Sequence, residues 1–182
     1  MDSFKGEDGK LRCGWCNGDT VYIEYHDHEW GRVVQGDNAI FERISLEGFQ
    51  AGLNWLMILK RREHFRSRFI NFEIEKVSEM TDEDIESLMS DPKVIRNRRK
   101  IISVIENAKV IKSANISISE LVWSFKPTES NTDYQRATSP ESEKLSKELK
   151  KLGLSFVGPT TMYAMMQSIG MVNDHHPDCF LK

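Results

Sequence analysis

Thiols and imidazoles gather near the two ends of this 182-residue chain, with Cys13, Cys16, His26 and His28 early and His175, His176 and Cys179 late; only His64 lies between. Zinc prefers thiolate and imidazole in a tetrahedral arrangement. His175 and Cys179 stand at the four-residue offset that points two ligands the same way on a helical turn. Cys13 and His26 can complete a closed two-Cys, two-His site, which leaves no position for a metal-bound water and so has a structural role. By analogy with a disulfide, a metal joining the ends closes a loop worth roughly 4–5 kcal/mol. The competing reading is free cysteines and ordinary surface histidines. Cys13-Gly14-Trp15-Cys16 also resembles a dithiol redox motif, but the strand-helix context such a motif needs does not follow it.

A second group is the stretch from Leu46 to Trp55, in which the Glu47 carboxylate and the Trp55 indole flank a glycine-containing turn. Beside the Tyr-rich segment around Tyr22 and Tyr25, an acid and an aromatic can wall a pocket for a planar, cationic or hydrogen-bonding ligand. The plainer alternative makes Trp55 core and Glu47 a solvated helix residue. A third group, Leu152 to Thr161, reads Leu-Gly-Leu-Ser-Phe-Val-Gly-Pro-Thr-Thr. Gly153 and Gly158 let the backbone approach a phosphate while free amides at the next helix start donate to its oxygens. A plain helix connection with glycine caps is the alternative.

The elements that must position these groups read as helices. Asp37 is a candidate N-cap for a helix reaching about Gln50, and a second helix runs from Asn54 through Phe69 with a basic far half. An acidic start at Thr81-Asp82-Glu83-Asp84 opens a short helix that Asp91-Pro92 ends. Val94 to Ile111 carries another apolar face beside Arg96, Arg98, Arg99 and Lys100. Pro127 to Pro140 is loop-like. Ser139-Pro140 starts a helix that Gly153 stops, and Gly158-Pro159 starts the next. Residues 1–12 read as a flexible arm. With no regular strand alternation, the chain is expected to be a single all-α domain over residues 1–182.

Composition agrees: hydrophobic residues at 39% and charged residues at 29% fit a soluble globular protein and exclude collagenous and disordered classes. The net charge of −3 argues against a uniformly basic nucleic-acid binder, so any such surface must be local. No window has the roughly 18 consecutive apolar residues of a membrane span. The three cysteines and the absence of a signal-like apolar run fit a reducing cytoplasm.

Taken in order, Cys13-Gly14-Trp15, Tyr22 to Gly31, Glu47 to Trp55, Leu121-Val122-Trp123-Ser124-Phe125, Phe156 to Thr161 and Val172-Asn173-Asp174-His175 resemble the DNA-3-methyladenine glycosylase I (TAG) family, from about Cys13 to Cys179. The resemblance implies a helix-hairpin-helix glycosylase whose N- and C-terminal segments are joined by a structural zinc on Cys13, His26, His175 and Cys179. Cys16, His28 and His176 are then not ligands. It also implies that Glu47 hydrogen-bonds the excised base, that Trp55 stacks on it, and that Trp15, Tyr22 and Tyr25 help enclose it. The activity implied is hydrolysis of the N-glycosidic bond of 3-methyladenine in alkylated DNA, with base flipping and no strand cleavage.

Double-stranded DNA is then the partner, held through Gly158 in the hairpin and basic residues among Arg96 to Lys100, with Arg98 and Arg99 foremost; Leu53 fills the space left by the flipped base. A monomer without an obligate protein partner is expected. Helix-hairpin-helix glycosylases of other families carry an Asp after the hairpin, and Thr160 to Ile169 holds no acid. Cys16, Asn54 and Met57 depart from the family pattern, the last two at positions expected beside the pocket. The alternative function is a zinc-stabilised homologue that binds damaged duplex without turnover.

Overall fold

The aromatic stretch after Cys16 shows no clean apolar period, yet it folds as a helix. In the computed structural model, which describes residues 2–128 and 136–182, α1 spans Thr20–His28, and Asp19 caps it by accepting from the Val21 amide at 3.0 Å. Tyr25 and His26 are buried on its inner face. Ahead of it, Gly14–Cys16 makes one tight 3-10 turn.

The segment read as a flexible arm carries a strand pair in its described part. β1 (Ser3–Lys5) pairs antiparallel with β2 (Leu11–Cys13), with Ser3 opposite Cys13. Arg12 explains the order. Its buried guanidinium donates to Asp27 at 2.7 and 2.9 Å and to Asp8 at 2.7 Å, which ties the hairpin to α1. The Phe180 amide donates to the Leu11 carbonyl at 2.9 Å, so the C-terminal segment lies against the same hairpin. The architecture is therefore mostly helical with one small two-stranded sheet.

α2 (Asp37–Gln50) is central and packs against α3 (Trp55–Arg68), α6 (Arg98–Ala114), α7 (Ile118–Trp123) and α9 (Pro159–Ser168). Gly36, at φ +93°, is its N-cap. Asp37 instead accepts from the Ser117 hydroxyl and the Ser119 amide at the start of α7. Between α2 and α3, Ala51 (φ −46°, ψ 114°) and Gly52 (φ +78°) form a type II turn closed by the Leu53 amide on the Gln50 carbonyl at 2.6 Å. Asn54 caps α3 through the Leu56 amide, and Met57 is exposed; neither lines the cavity described below.

A left-handed turn at Ile70–Phe72 and the short α4 (Ile74–Val77) follow. α5 (Asp82–Ser90) starts with the Thr81–Asp84 capping box. α6 begins at Asn97, whose side chain caps it, rather than at Val94. α8 (Pro140–Leu152) keeps its Ser139 cap and ends at Gly153, φ +107°. Residues 129–135 of the loop-like stretch lie outside the described residues.

The main core holds the Phe41, Phe49, Phe65, Phe69 and Phe72 rings, with centroids 4.6 Å apart for Phe49–Phe65. A second, aromatic cluster joins Cys13, Tyr25, Trp30, Leu59 and Cys179, and Trp55 touches both. Among the described residues no helix is long and apolar enough to cross a membrane.

Candidate active site and metal-ligand cluster

Glu47 lies in the last turn of α2 and Trp55 in the first turn of α3, so the Gly52 turn folds the chain back and places both on one cavity of about 440 Å³. Trp15, Tyr22, Tyr25 and Trp30 form its remaining aromatic wall. Their spacing on α1 explains the pairing: Tyr22 and Tyr25, three residues apart, share a helix face. Trp15 meets Tyr22 edge-on at 5.0 Å and Trp30 at 5.1 Å, and Tyr25 leans on Trp55 at 5.6 Å. These contacts fix the rings before any ligand enters.

Glu47 is 4% exposed, and no hydrogen bond to its carboxylate occurs among the described residues. Burial pushes its pKa up to about 8, against a smaller opposing pull from the Arg43 charge one turn away. The carboxyl therefore holds its proton near neutrality while the cavity has no cation. The buried Trp55 indole N–H also lacks a partner.

Sequence reasoning missed several lining residues: Gln50, Ala164, Gln167 and a second acid, Asp174. Gln50 was findable, since it stands three residues after Glu47 and shares its helix face. Asp174 lies beyond α9, in an aperiodic segment. Its Oδ2 accepts from the Tyr163 hydroxyl at 2.6 Å and from the Gln167 amide at 2.8 Å. Two carboxyls and five aromatic residues thus line one cavity, a lining that favours a planar cation.

Behind the aromatic wall, Cys13, His26 and Cys179 bring donor atoms within 4.8 Å of one another, all buried. Cys179 Sγ lies 3.5 Å from His26 Nε2, and the His26 and His175 ring centroids are 5.2 Å apart. His26 Nδ1 pairs with Asp27 at 2.8 Å and His175 Nδ1 with Asn173 Oδ1 at 2.9 Å, leaving each Nε2 for another partner. His175 Nε2 is buried with none among the described residues. That orphaned nitrogen, beside two thiols and a second oriented imidazole, fits a tetrahedral soft-metal donor set. Burial depresses His175 to about 4, which keeps the imidazole in the neutral form a metal binds, and pushes Cys13 up to about 12, a cost that a cation at the thiolate would offset. His175 and Cys179 do not stand on a helix as their offset suggested; both lie in the irregular segment after α9. Cys16 points away, its thiol donating to the Cys13 carbonyl at 3.1 Å.

The basic cluster at the start of α6 divides. Arg99 borders a surface hollow with Ser155 and Phe156 of the α8–α9 connection, whereas Arg98 forms an ion pair with Glu86. Lys100 is not on the cationic surface at all: it is 6% exposed and its ammonium donates to the carbonyls of Phe49 at 2.8 Å and Ala51 at 2.6 Å. Gly158 is the N-cap of α9, and a Cβ there would meet nothing nearer than 3.9 Å, so packing does not demand glycine. Leu53 is half-buried against the main core rather than projecting freely.

A sequence model of the methyladenine glycosylase family matches residues 15–182. DNA-3-methyladenine glycosylase 1 of Escherichia coli (strain K12) is 43% identical over 177 residues, covering 92% of this chain and 95% of that protein. Among solved structures, a crystal structure of 3-methyladenine DNA glycosylase I (TAG) superposes with a TM-score of 0.87 at 39% identity, covering 93% of this chain and 98% of the other. A structure addressing 3-methyladenine recognition by TAG from Staphylococcus aureus gives 0.85 at 34% identity, covering 93% and 95%.

Proposed function

The chain belongs to the methyladenine glycosylase family, and on that premise we propose that it hydrolyses the N-glycosidic bond of 3-methyladenine in alkylated DNA, freeing the base without cutting the strand. The observation that carries this reading is the single cavity in which a buried, otherwise unpaired Glu47 faces a cage of aromatic rings.

Methylation at a purine ring nitrogen makes the base cationic. When the C1′–N9 bond breaks, its electron pair neutralises that charge, so the base leaves neutral and needs no proton from the enzyme. Water adds at C1′ and releases a proton to solvent. The residues therefore have to select and orient. Aromatic faces attract the cation by about 0.5–2 kcal/mol per contact. Entry of positive charge favours the ionised form of Glu47, which then accepts a charge-assisted hydrogen bond from the base edge, while Trp55 stacks on the ring. Normal adenine, being neutral, earns neither gain.

Extrusion of the nucleotide from the duplex costs a few kcal/mol, less where damage already weakens pairing. Backbone amides near Gly158 and the Arg99 guanidinium hold phosphates, with Arg98 a lesser contributor and Leu53 at the turn beside the vacated stack, which makes binding salt-dependent and sequence-independent. Cys13, His26, His175 and Cys179 would hold a structural zinc, whose chemistry is to cross-link the two chain ends. The protein acts as a monomer in the cytoplasm, where its three buried cysteines stay reduced.

The test is release of free base from methylated duplex. Base should appear well above the spontaneous rate with wild-type protein, and Glu47→Gln should slow release roughly ten- to hundredfold, the worth of a charge-assisted hydrogen bond. Tight binding to damaged duplex with no release would favour a non-catalytic homologue instead.

A further inference from the structure

Lys100 is a buried cation that forms no ion pair with a carboxylate among the described residues. Its ammonium donates to the carbonyls of Phe49 and Ala51, at the C-terminal end of α2, where the helix leaves carbonyls unsatisfied and its dipole is negative. The α6 start holds the lysine in place, since the Asn97 side chain caps the Lys100 amide itself. Those two carbonyls bracket Gln50 and lead directly into the type II turn at Ala51-Gly52. The Gln50 side chain in turn donates to the Leu53 carbonyl at 3.1 Å, so the turn is bonded from both sides. Three residues that line the cavity, Glu47, Gln50 and Trp55, enter and leave this one turn. Desolvating an ammonium costs several kcal/mol, and a methionine-like side chain would fill the same space without that cost. Retaining a charge here makes sense if the turn must hold one geometry.

We propose that Lys100 is a positioning residue for lesion recognition: it fixes the Gln50–Leu53 turn and thereby sets Trp55 against Glu47. It touches neither base nor DNA phosphate. The inference rests on the glycosylase reading of the cavity, and it also makes a claim about the turn that needs no substrate.

The experiment compares wild type with Lys100→Met and Lys100→Arg in the full chain, well below their melting temperatures. Three quantities are read: affinity for free 3-methyladenine by calorimetry, single-turnover base release at saturating enzyme, and hydrogen exchange of the Leu53 amide without ligand. Lys100→Met should weaken base affinity and slow release about tenfold or more, with faster Leu53 exchange. Lys100→Arg, which can still donate to both carbonyls, should stay within about threefold of wild type. A residue that only supports the fold would lower the melting temperature and leave affinity and exchange unchanged, and that result overturns the proposal. So does a Lys100→Arg protein that falls as far as the methionine variant. Should Lys100→Met fail to fold, Lys100→Gln is measured under the same criteria. If the wild-type protein neither binds nor releases the base, the glycosylase reading falls, while Leu53 exchange still decides the role of the lysine.

Discussion

Glu47, a buried acid that lines the cavity, weakens the fold that holds it. Its pKa stands at about 8 in the folded chain against 4.5 for the free side chain, raised by burial. The folded state therefore binds the extra proton, so stability is full below about pH 4.5 and declines as pH rises through 8. Glu47→Gln removes that dependence. Its melting temperature should exceed that of wild type by about 5 °C or more at pH 9, with little difference at pH 4, while base release falls. Scanning calorimetry across pH checks this, and equal melting temperatures at pH 9 would refute a carboxyl buried at that cost. The pairing of Glu47 with Trp55 was legible because an acid and an indole flanking Ala51-Gly52 can meet only if the turn is tight. Asp174 and Lys100 were not. A loop acid has no periodicity to betray its direction, and a lysine beside Arg98 and Arg99 reads as one more surface charge until the carbonyls it faces are known.

Helices were read best where caps and apolar spacing agreed, as at Ser139-Pro140 and Thr81, and worst where function had replaced periodicity. α1 gives one side to the cavity through Tyr22 and Tyr25 and the adjoining position to the Cys13, His26 and Cys179 group through His26, so its buried face is aromatic and polar rather than aliphatic. The turn after it is just as specialised. Gly31 has φ +76°, and a Cβ there would lie 2.8 Å from Cε1 of His175. Gly31→Ala should cost about 1–2 kcal/mol in backbone strain and also displace the imidazole, so if the proposed site takes up added zinc, the metal should pass faster to a competing chelator. Gly18→Ala supplies the control, with φ +92° and nothing within 4 Å of the added atom; equal zinc retention in both variants would refute the contact. On the α6 surface, Arg99→Ala should lower the slope of log affinity against log salt for duplex DNA by about 0.9, the value of one phosphate contact. Arg98→Ala should lower it less, because Glu86 already occupies that guanidinium. Titrations at several salt concentrations separate the two, and an unchanged slope in Arg99→Ala would remove it from the interface.

Over the whole molecule, the cavity depends on both chain ends. Trp15, Tyr22 and Tyr25 come from one end and Asp174 from the other, and the Cys13, His26 and Cys179 donors lie behind them. Cys179→Ser should lose stoichiometric zinc by elemental analysis and roughly 4–5 kcal/mol of stability if the metal acts as a cross-link. It should also weaken affinity for the free base, although residue 179 does not line the cavity. Retained zinc, or zinc loss without a drop in melting temperature, would count against the cross-link. The clustering of thiols and imidazoles at the two ends was visible from the sequence; the hairpin that binds the early end was not, because it is tied down by the pairing of Arg12 with Asp27, fifteen residues on, which no periodicity announces. The same closure constrains synthesis. A ribosome delivers Trp15 and Tyr25 long before Asp174 and Cys179 emerge, so the nascent chain can build its phenylalanine core while one wall of the recognition chamber is still unmade. Repair competence should therefore arrive in a single step, once Asp174 and Cys179 clear the exit tunnel, and chains that stop short of Asp174 should have none of it.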